Sequence, residues 1–432
     1  MIVLWMFFNI PQIEWEKIYG DQGIIERTKD VIPTQDGGFM ILASKSYDII
    51  YLMKTDSLGN ILWESFIEKN DTSLRSEAII QTPDGGYFIV GDAYAKDIGG
   101  VDSYVAKLNS NSSVVWEKVF HPGEEKHGSS AYSVRYIDNG YIIIGSTRRP
   151  YVVKMDEDGN VVGERFFEYR AGEGCPEICI TQDGNCLGVW EVYTEDMCTQ
   201  ILMVKLTPDG EVLWEKNIGG EYSFEEPYDV DTTKDNGVVI GGRVFVDTTG
   251  MEFYGYLVKT DASGNVIWER KFFERTIYSV ALAQDDGYLV MVISDRPLIK
   301  VNSEGYLVWK KRFSQNIDSR LIIEQTEDMG HIIAGTTIGE EDIYLIKLSP
   351  EFPGVEEVSP GFYIKNVIEK NRMVLYVNGT AELYLYDATG RLIKKAMLSC
   401  GKNEVEIKES SGVYFYFVKD KKEVKKGKVI IF

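Results

Sequence analysis

Catalysis needs an acid, a base, a nucleophile or a metal ligand held at a useful spacing, and this chain offers few. Its three histidines are His121, His127 and His331; the first two share one loop and the third lies in an apolar run. The five cysteines, Cys175, Cys179, Cys186, Cys198 and Cys400, are an odd set. The gaps of 3, 6 and 11 residues between the first four match no paired zinc pattern. No G-x-S-x-G, H-E-x-x-H or phosphate-cradling glycine loop occurs. Turns such as DEDGN (156–160) and DASGN (261–265) lack the spread of oxygens and the closing Glu of a calcium loop; Asp and Asn stand there because they tolerate turn geometry. Carboxylates are too numerous for sequence to single out a glycosidase pair. The expectation is no metal, no cofactor and no catalytic residue. The enzyme class left open is a carbohydrate-active hydrolase or lyase.

The elements that would position any site come from a repeat. The stretch Gln81 to Phe120 holds two apolar runs around Asp84-Gly85-Gly86, then SYVAKL, a turn, and VVWEKVF, and the chain says nearly the same thing six more times. A four-stranded sheet of this kind cannot bury both faces alone, so copies must stack. Three landmarks align them. Asp36-Gly37-Gly38, Asp84-Gly85-Gly86, Asp138-Asn139-Gly140, Asp183-Gly184-Asn185, Asp235-Asn236-Gly237, Asp286-Gly287 and Met329-Gly330 mark the opening hairpins, read as two-residue turns. A strand ending in Lys follows, at Lys54, Lys107, Lys154, Lys205, Lys259, Lys300 and Lys347. Last comes a strand centred on Trp63, Trp116, Trp214, Trp268 or Trp309, with Gly163 at that place in the third unit.

The final unit stops at SPEFPG without its Trp strand, while the chain begins with an orphan one around Trp15. If that segment completes the last sheet, the ring closes and no sheet edge is left open. The predicted fold is all-β: a seven-bladed β-propeller over 13–350 closed by an N-terminal strand, then a linker at 351–361 and a C-terminal β-sandwich at 362–432 of immunoglobulin-like pattern. The tryptophans are expected to pack blade against blade. The pattern Asp-x-x-Gly-x-x-x-Trp, as in DSLGNILWE (56–64), resembles the tryptophan-docking motif of quinoprotein-like propellers and outer-membrane assembly scaffolds. The resemblance implies how blades dock and no ligand.

Connectivity separates two faces. One carries the short uniform turns; the other carries loops of unequal length, rich in aromatic and charged residues, where binding is built. Candidates there are Tyr94, Arg148, Arg149, Trp190, Tyr193, Phe245, Tyr254 and Arg296. Cys175 and Cys198 fall on the same face, which suggests a disulfide; Cys179 and Cys186 read as diagonal neighbours across a turn.

The net charge of −21 excludes a general nucleic-acid binder. It is uneven: residues 360–432 carry 14 Lys and Arg against 8 Asp and Glu, leaving −27 on residues 1–359. The apolar start MIVLWMFFNIPQ has no Lys or Arg before Lys17 and is shorter than a membrane span. Residues 1–12 read either as the remnant of a secretory signal or as a buried edge strand, and no other stretch is long enough to cross a bilayer.

The tail carries a sharper resemblance. LYLYDATGRLIKK (383–395), GKNEVEI (401–407), SSGVYFYFV (410–418) and KKGKVIIF (425–432) are similar, in order, to the C-terminal sorting domain of type IX secretion substrates. The matching residues are Asp387, Gly390, Arg391, Gly412, Val413, Tyr414, Lys425, Lys426 and Lys428. The resemblance implies export across the outer membrane through a translocon that recognises this domain. The expected molecule is a secreted or cell-surface binding protein whose variable face meets an extracellular protein or glycan.

Overall fold

In the computed structural model the chain divides into two compact units, 1–351 and 352–432. The structure describes residues 10–350 apart from 22, 47, 96–99, 124–127, 197, 221–223, 246–252, 273–275, 294–296 and 318–320. In the second unit it describes 362–363, 368–369, 372–377, 381–387, 391–398, 401–406, 412–419 and 424–431. The signal-like start, the linker, His127, Arg296, Gly390 and Cys400 lie outside the described residues.

The first unit is a β-propeller. Its strands pair antiparallel in groups of four over 26–67, 72–120, 130–166, 177–218, 224–272 and 277–311; a parallel bridge from Thr199 to Phe224 joins the groups at 177–218 and 224–272, and Arg170–Ala171 adds a short strand on Cys186–Tyr193. A further group takes three strands from 322–348 and its fourth from Ile13–Tyr19. That early strand lies along Ile343–Leu348, with Ile18 opposite Tyr344 and Trp15 opposite Lys347, as the orphan Trp strand predicts. The first strands of the groups are Glu26–Pro33, Thr72–Gln81, Ser130–Tyr136, Glu177–Ile180, Phe224–Thr232, Ile277–Leu282 and Ile322–Gln325. Each touches the next, and the last touches the first, so they close a ring.

Inner strands are apolar on both faces because each sheet is buried between two neighbours. Along Phe39–Lys45, Met40 and Leu42 enter the core shared with blade 72–120, while Phe39, Ile41 and Ala43 enter the one shared with 322–348. The outermost strands show the alternation of a half-exposed edge, as in Ile61–Ile67.

The opening turns are one residue longer than the two-residue hairpins expected from Asp-Gly. Thr34 N–H donates to Gly38 O at 3.0 Å and Gly37 N–H to Thr34 O at 2.8 Å, with Gly37 at φ 79°. This is a three-residue loop with a left-handed last residue. The extra residue lets the Asp side chain act: Asp36 Oδ1 accepts from Thr34 Oγ1 (2.6 Å), Gly38 N (3.1 Å) and the buried Lys54 ammonium (2.9 Å). Burial opposes ionisation of Asp36, but these donors outweigh it and hold the carboxyl below its ordinary range.

The same Lys–Asp pair recurs at Lys107–Asp84 (2.9 Å), Lys205–Asp183 (3.1 Å), Lys259–Asp235 (2.5 Å), Lys300–Asp285 (2.6 Å) and Lys347–Asp328 (2.8 Å). In the last two blades the bonded aspartate therefore precedes the predicted marks; Asp286 and Met329 take the left-handed position instead. Blade 130–166 alone has the two-residue turn, Asp138-Asn139 with φ 49° and 54°, and Lys154 donates to Ile137 O and Pro208 O.

Four tryptophans dock over the glycine turn of the following blade: Trp15 over Gly59, Trp116 over Gly159, Trp214 over Gly264 and Trp268 over Gly305. Trp15 Nε1–H donates to Ser57 O at 3.1 Å and Trp268 Nε1–H to Ser303 O at 2.9 Å. A Cβ at Gly159 would stand 2.4 Å from Trp116 Cη2, and one at Gly264 2.6 Å from Trp214. Gly159 also has φ 73°. Gly159→Ala should therefore cost about 2–4 kcal/mol, from left-handed strain and overpacking together, read as a lower urea midpoint; an unchanged midpoint would reject the docking role.

In the second unit two four-stranded sheets form. One pairs Phe362–Tyr363, Ile368–Glu369 and Gly401–Glu406 with Arg372–Val377; the other runs Leu392–Leu398, Ala381–Asp387, Gly412–Lys419, Val424–Ile431. The run predicted as one strand, FYIKNVI, contributes the two short pieces at 362–363 and 368–369. Asp387 and Arg391 close a hairpin: Arg391 N–H and Nε–H donate to the Asp387 carboxylate, each at 3.0 Å.

Candidate binding site at the mouth of the ring

The site begins with a β-bulge. In five first strands the ladder slips by one residue, between Thr28 and Asp30, Ser76 and Ala78, Ala131 and Ser133, Pro227 and Asp229, and Ile277 and Ser279. The extra residues are Lys29, Glu77, Tyr132, Tyr228 and Tyr278. A bulge re-aims a side chain out of the ladder, and here the re-aimed groups of adjacent blades meet. Lys29 Nζ pairs with Glu77 at 3.2 Å, and the rings of Tyr228 and Tyr278 stand 5.2 Å apart. Burial pushes the Tyr132 hydroxyl up to about 12, and the Asp92 and Glu77 carboxylates push the same way.

Around this inner ring the second strands add polar groups toward the variable face. Glu191 is buried beneath Gly172-Glu173-Gly174 and accepts from Gly174 N–H at 2.7 Å. Arg243 bonds to Glu226 through Nε at 2.6 Å and lies over the rings of Tyr228, Phe245 and Phe253. Burial raises Glu191 to about 7, and the neighbouring Glu226 charge adds to the shift. Asp92 is also raised to about 7, by burial and then by Glu77. A pair in which one carboxyl keeps its proton near neutrality beside a second carboxylate can donate and accept hydrogen bonds at once.

Deeper along the ring of first strands, Glu177 stands 3.4 Å from Arg135 Nη2, and the charges of Asp30, Asp231 and Glu324 also act on that guanidinium. At the short-turn end the hollow is lined by Ile32, Gln35, Gln81, Gln325 and Glu327 among others.

The predicted site residues divide. Tyr193 lies under the Arg170 guanidinium at 4.5 Å, and Phe245 packs 5.2 Å from Phe253. Thr199, opposite Tyr193, pairs with Phe224, opposite Phe245, so one row crosses from blade 177–218 into blade 224–272. Tyr254 packs against the core of those two blades. Tyr94 is exposed at the end of its blade; Arg148 is exposed, while Arg149 bonds to Glu168 and covers Phe166.

Trp190 is not a surface residue. It is 1% exposed, and its Nε1–H donates to Gly145 O of the adjacent blade at 3.0 Å, so it belongs to the core. Cys175 and Cys198 are not joined by a disulfide. Cys186–Tyr193 pairs with both Glu177–Ile180 and Thr199–Leu206 and so lies between them. That puts the two cysteines' strands roughly 10 Å apart, beyond the ~7 Å Cα limit of a disulfide. Cys179 and Cys186 are diagonal, but Cys179 enters the core with Leu187 and Cys186 the opposite one with Ile142.

Sequence reading missed Lys29, Glu77, Tyr132, Tyr228, Tyr278 and the axial acids. One signal could have found the bulge residues: each stands five positions before the residue that opens the turn, Thr34, Thr82, Ile137, Thr233 or Ala283.

The profile of the family described as outer membrane protein assembly factor BamB matches residues 201–346. No curated protein matches the chain. Among solved structures, a streptogramin B lyase superposes with TM-score 0.54 at 13% identity, over 78% of this chain and 98% of that one. BBS1N, solved in complex with ARL6DN, gives 0.53 at 11% over 80% and 99%. The WD40 propeller domain of Doa1 gives 0.50 at 12% over 78% and 96%. At these identities the likeness is one of fold. Among the described residues no helix is long and apolar enough to cross a membrane.

Proposed function

We propose that the chain is a non-catalytic binding scaffold, a seven-bladed propeller closed by Ile13–Tyr19, whose variable face receives an extracellular protein or glycan. The carrying observation is the contrast between the two faces. On one, the opening turns are tied down by a buried lysine, through an Asp in all but one blade; on the other, half-exposed tyrosines and arginines gather around the mouth of the ring. Tyr and Arg are the residues enriched at binding hot spots. The BamB family profile and a propeller seen in complex with ARL6DN support a protein partner and a place at the outer membrane.

The immunoglobulin-like tail is the export module in this reading. The Asp387–Arg391 hairpin supports the sorting-domain resemblance, with Gly412, Val413, Tyr414, Lys425, Lys426 and Lys428 on the two strands that follow. Gly390 belongs to the same resemblance.

Two measurements test these parts separately. Saturable binding without turnover on a protein and glycan array should weaken tenfold or more in Tyr193→Ala/Tyr228→Ala, about the size of a hot-spot loss. Cleavage of a polysaccharide would instead favour a hydrolase using Glu191 and Glu226. Deleting 360–432 should leave the protein in the periplasm; export of the shortened chain would remove the sorting role.

A further inference from the structure

Four seams between blades hold a tryptophan in the same cage. Beneath the ring lies a left-handed glycine of the next blade's closing turn, Gly59, Gly159, Gly264 or Gly305, buried in each case. A cation two residues beyond the tryptophan reaches over its ring: Lys17 over Trp15 at 5.9 Å, Lys118 over Trp116 at 5.2 Å, Lys216 over Trp214 at 5.9 Å and Arg270 over Trp268 at 5.4 Å. In two seams the indole N–H donates to the carbonyl two residues before the glycine, at Ser57 and Ser303.

The seam between blades 130–166 and 177–218 has this cage without the ring. Gly163 stands in the tryptophan's place, opposite Lys154, and a Cβ there would meet only Lys154 Cβ at 3.9 Å, an ordinary contact. The turn below keeps its left-handed glycine, Gly210 at φ 85°. A Cβ on Gly210 would meet no atom of the described residues within 4 Å, and Gly210 is only half-buried. Arg165 keeps the place of the cation and, with no ring to cover, pairs with Glu211 across the seam at 3.0 Å. Pro208 keeps the place of the acceptor. Its carbonyl takes the Lys154 ammonium at 3.0 Å, and its second lone pair is left for an indole N–H. The notch is not a packing fault, because Trp190 on the second strand fills the core of this seam and the blades close without an outer indole.

We propose that this notch is a second binding site, on the outer rim at the short-turn end and independent of the mouth, and that it takes a tryptophan side chain carried by a partner protein. The filled seams set the occupant: the same glycine, carbonyl and cation hold an indole wherever the chain supplies one. Arg165 gives up little by turning from Glu211, since both side chains are exposed, and gains the face of the ring. The source is a protein because the notch lies on an open edge. Among the described residues Val161–Phe166 is paired on one side only, so an extended segment can lie along it and present its tryptophan to Gly210.

The test uses the full chain labelled at glycine nitrogen, with N-acetyltryptophanamide as the probe; its two amides stand in for flanking peptide bonds. The Gly163 and Gly210 amide signals should shift and half-saturate at roughly 1 mM, while Gly159 and Gly264, whose seams are filled, hold still. N-acetylleucinamide and free tryptophan, which lack the ring and carry charged ends respectively, should bind about tenfold more weakly. Gly163→Trp supplies the ring from within the chain and should abolish the Gly210 response; Gly163→Phe serves if that variant does not fold. A silent Gly210 at ten times the half-saturating concentration, an equal response to the leucine probe, or a response that survives in the filled variant overturns the site. Equal binding of free tryptophan overturns the protein-borne occupant.

Discussion

Truncating Trp190 to alanine should cost about 3–5 kcal/mol, the range for emptying a buried aromatic site. The indole sits in the core between blades 130–166 and 177–218, with the Phe167 ring 5.6 Å away. Gly188 leaves the slot it fills: a Cβ there would stand 2.6 Å from the ring. Its N–H satisfies Gly145 O across the blade boundary, so truncation opens a cavity and also orphans a buried carbonyl. Urea unfolding of the variant checks the stability term, and the array measurement separates stability from recognition. A variant as stable as the parent that has lost binding would return Trp190 to the surface site.

The second large effect is a loss of stability in acid. His331 opens the strand His331–Thr336, is fully buried, and has its pKa lowered to about 4. Burial is the main cause; it outweighs a contact with the Leu282 backbone, and the Lys300 and Lys347 ammoniums push the same way. Between pH 4 and about 6.5 the unfolded chain therefore binds the proton that the folded chain refuses. Stability is complete above the unfolded pKa and drains as pH falls, by about 3 kcal/mol over this window. His331→Phe should flatten that acid limb in urea midpoints measured from pH 4 to 7; a limb as steep as the parent's would show that another group carries it. Asp30 and Asp229, raised by burial to about 7 and about 6, lose stability as pH rises through the same window and so oppose the His331 limb there.

Both effects concern residues whose role depends on what stands across a blade boundary, and this separates what was legible in sequence from what was not. The repeat, the places of the turns though not their length, and the pairing of Trp15's strand with Ile343–Leu348 follow from local pattern, because turn residues and strand alternation are set within a few residues. The docking tryptophans are legible for the same reason: they recur at one place in most units, and a recurring large aromatic in stacked sheets has a packing role.

Trp190 reads as a loop residue because it is three residues from the end of its strand and the polar run Thr194-Glu195-Asp196 follows. Its slot, however, is left by Gly188, and the carbonyl that takes its N–H is that of Gly145, on a strand of the adjacent blade. The expected Cys175–Cys198 bond failed for a related reason: both residues are near the same face, but a strand runs between theirs. The Lys–Asp locks were visible as two separate landmarks and only register shows that they meet.

Sequence by itself determined the stacked four-stranded units, the way the ends join and the division into an acidic body and a basic tail, since apolar periodicity, turn chemistry and charge are properties of neighbours in the chain. Only the tertiary structure decided which side chains face the axis. A one-residue bulge leaves no mark in composition, yet it swings Lys29, Glu77, Tyr132, Tyr228 and Tyr278 into one mouth. The acids gathered about Arg135 come from positions up to about three hundred residues apart, and nothing short of closing the ring brings them together.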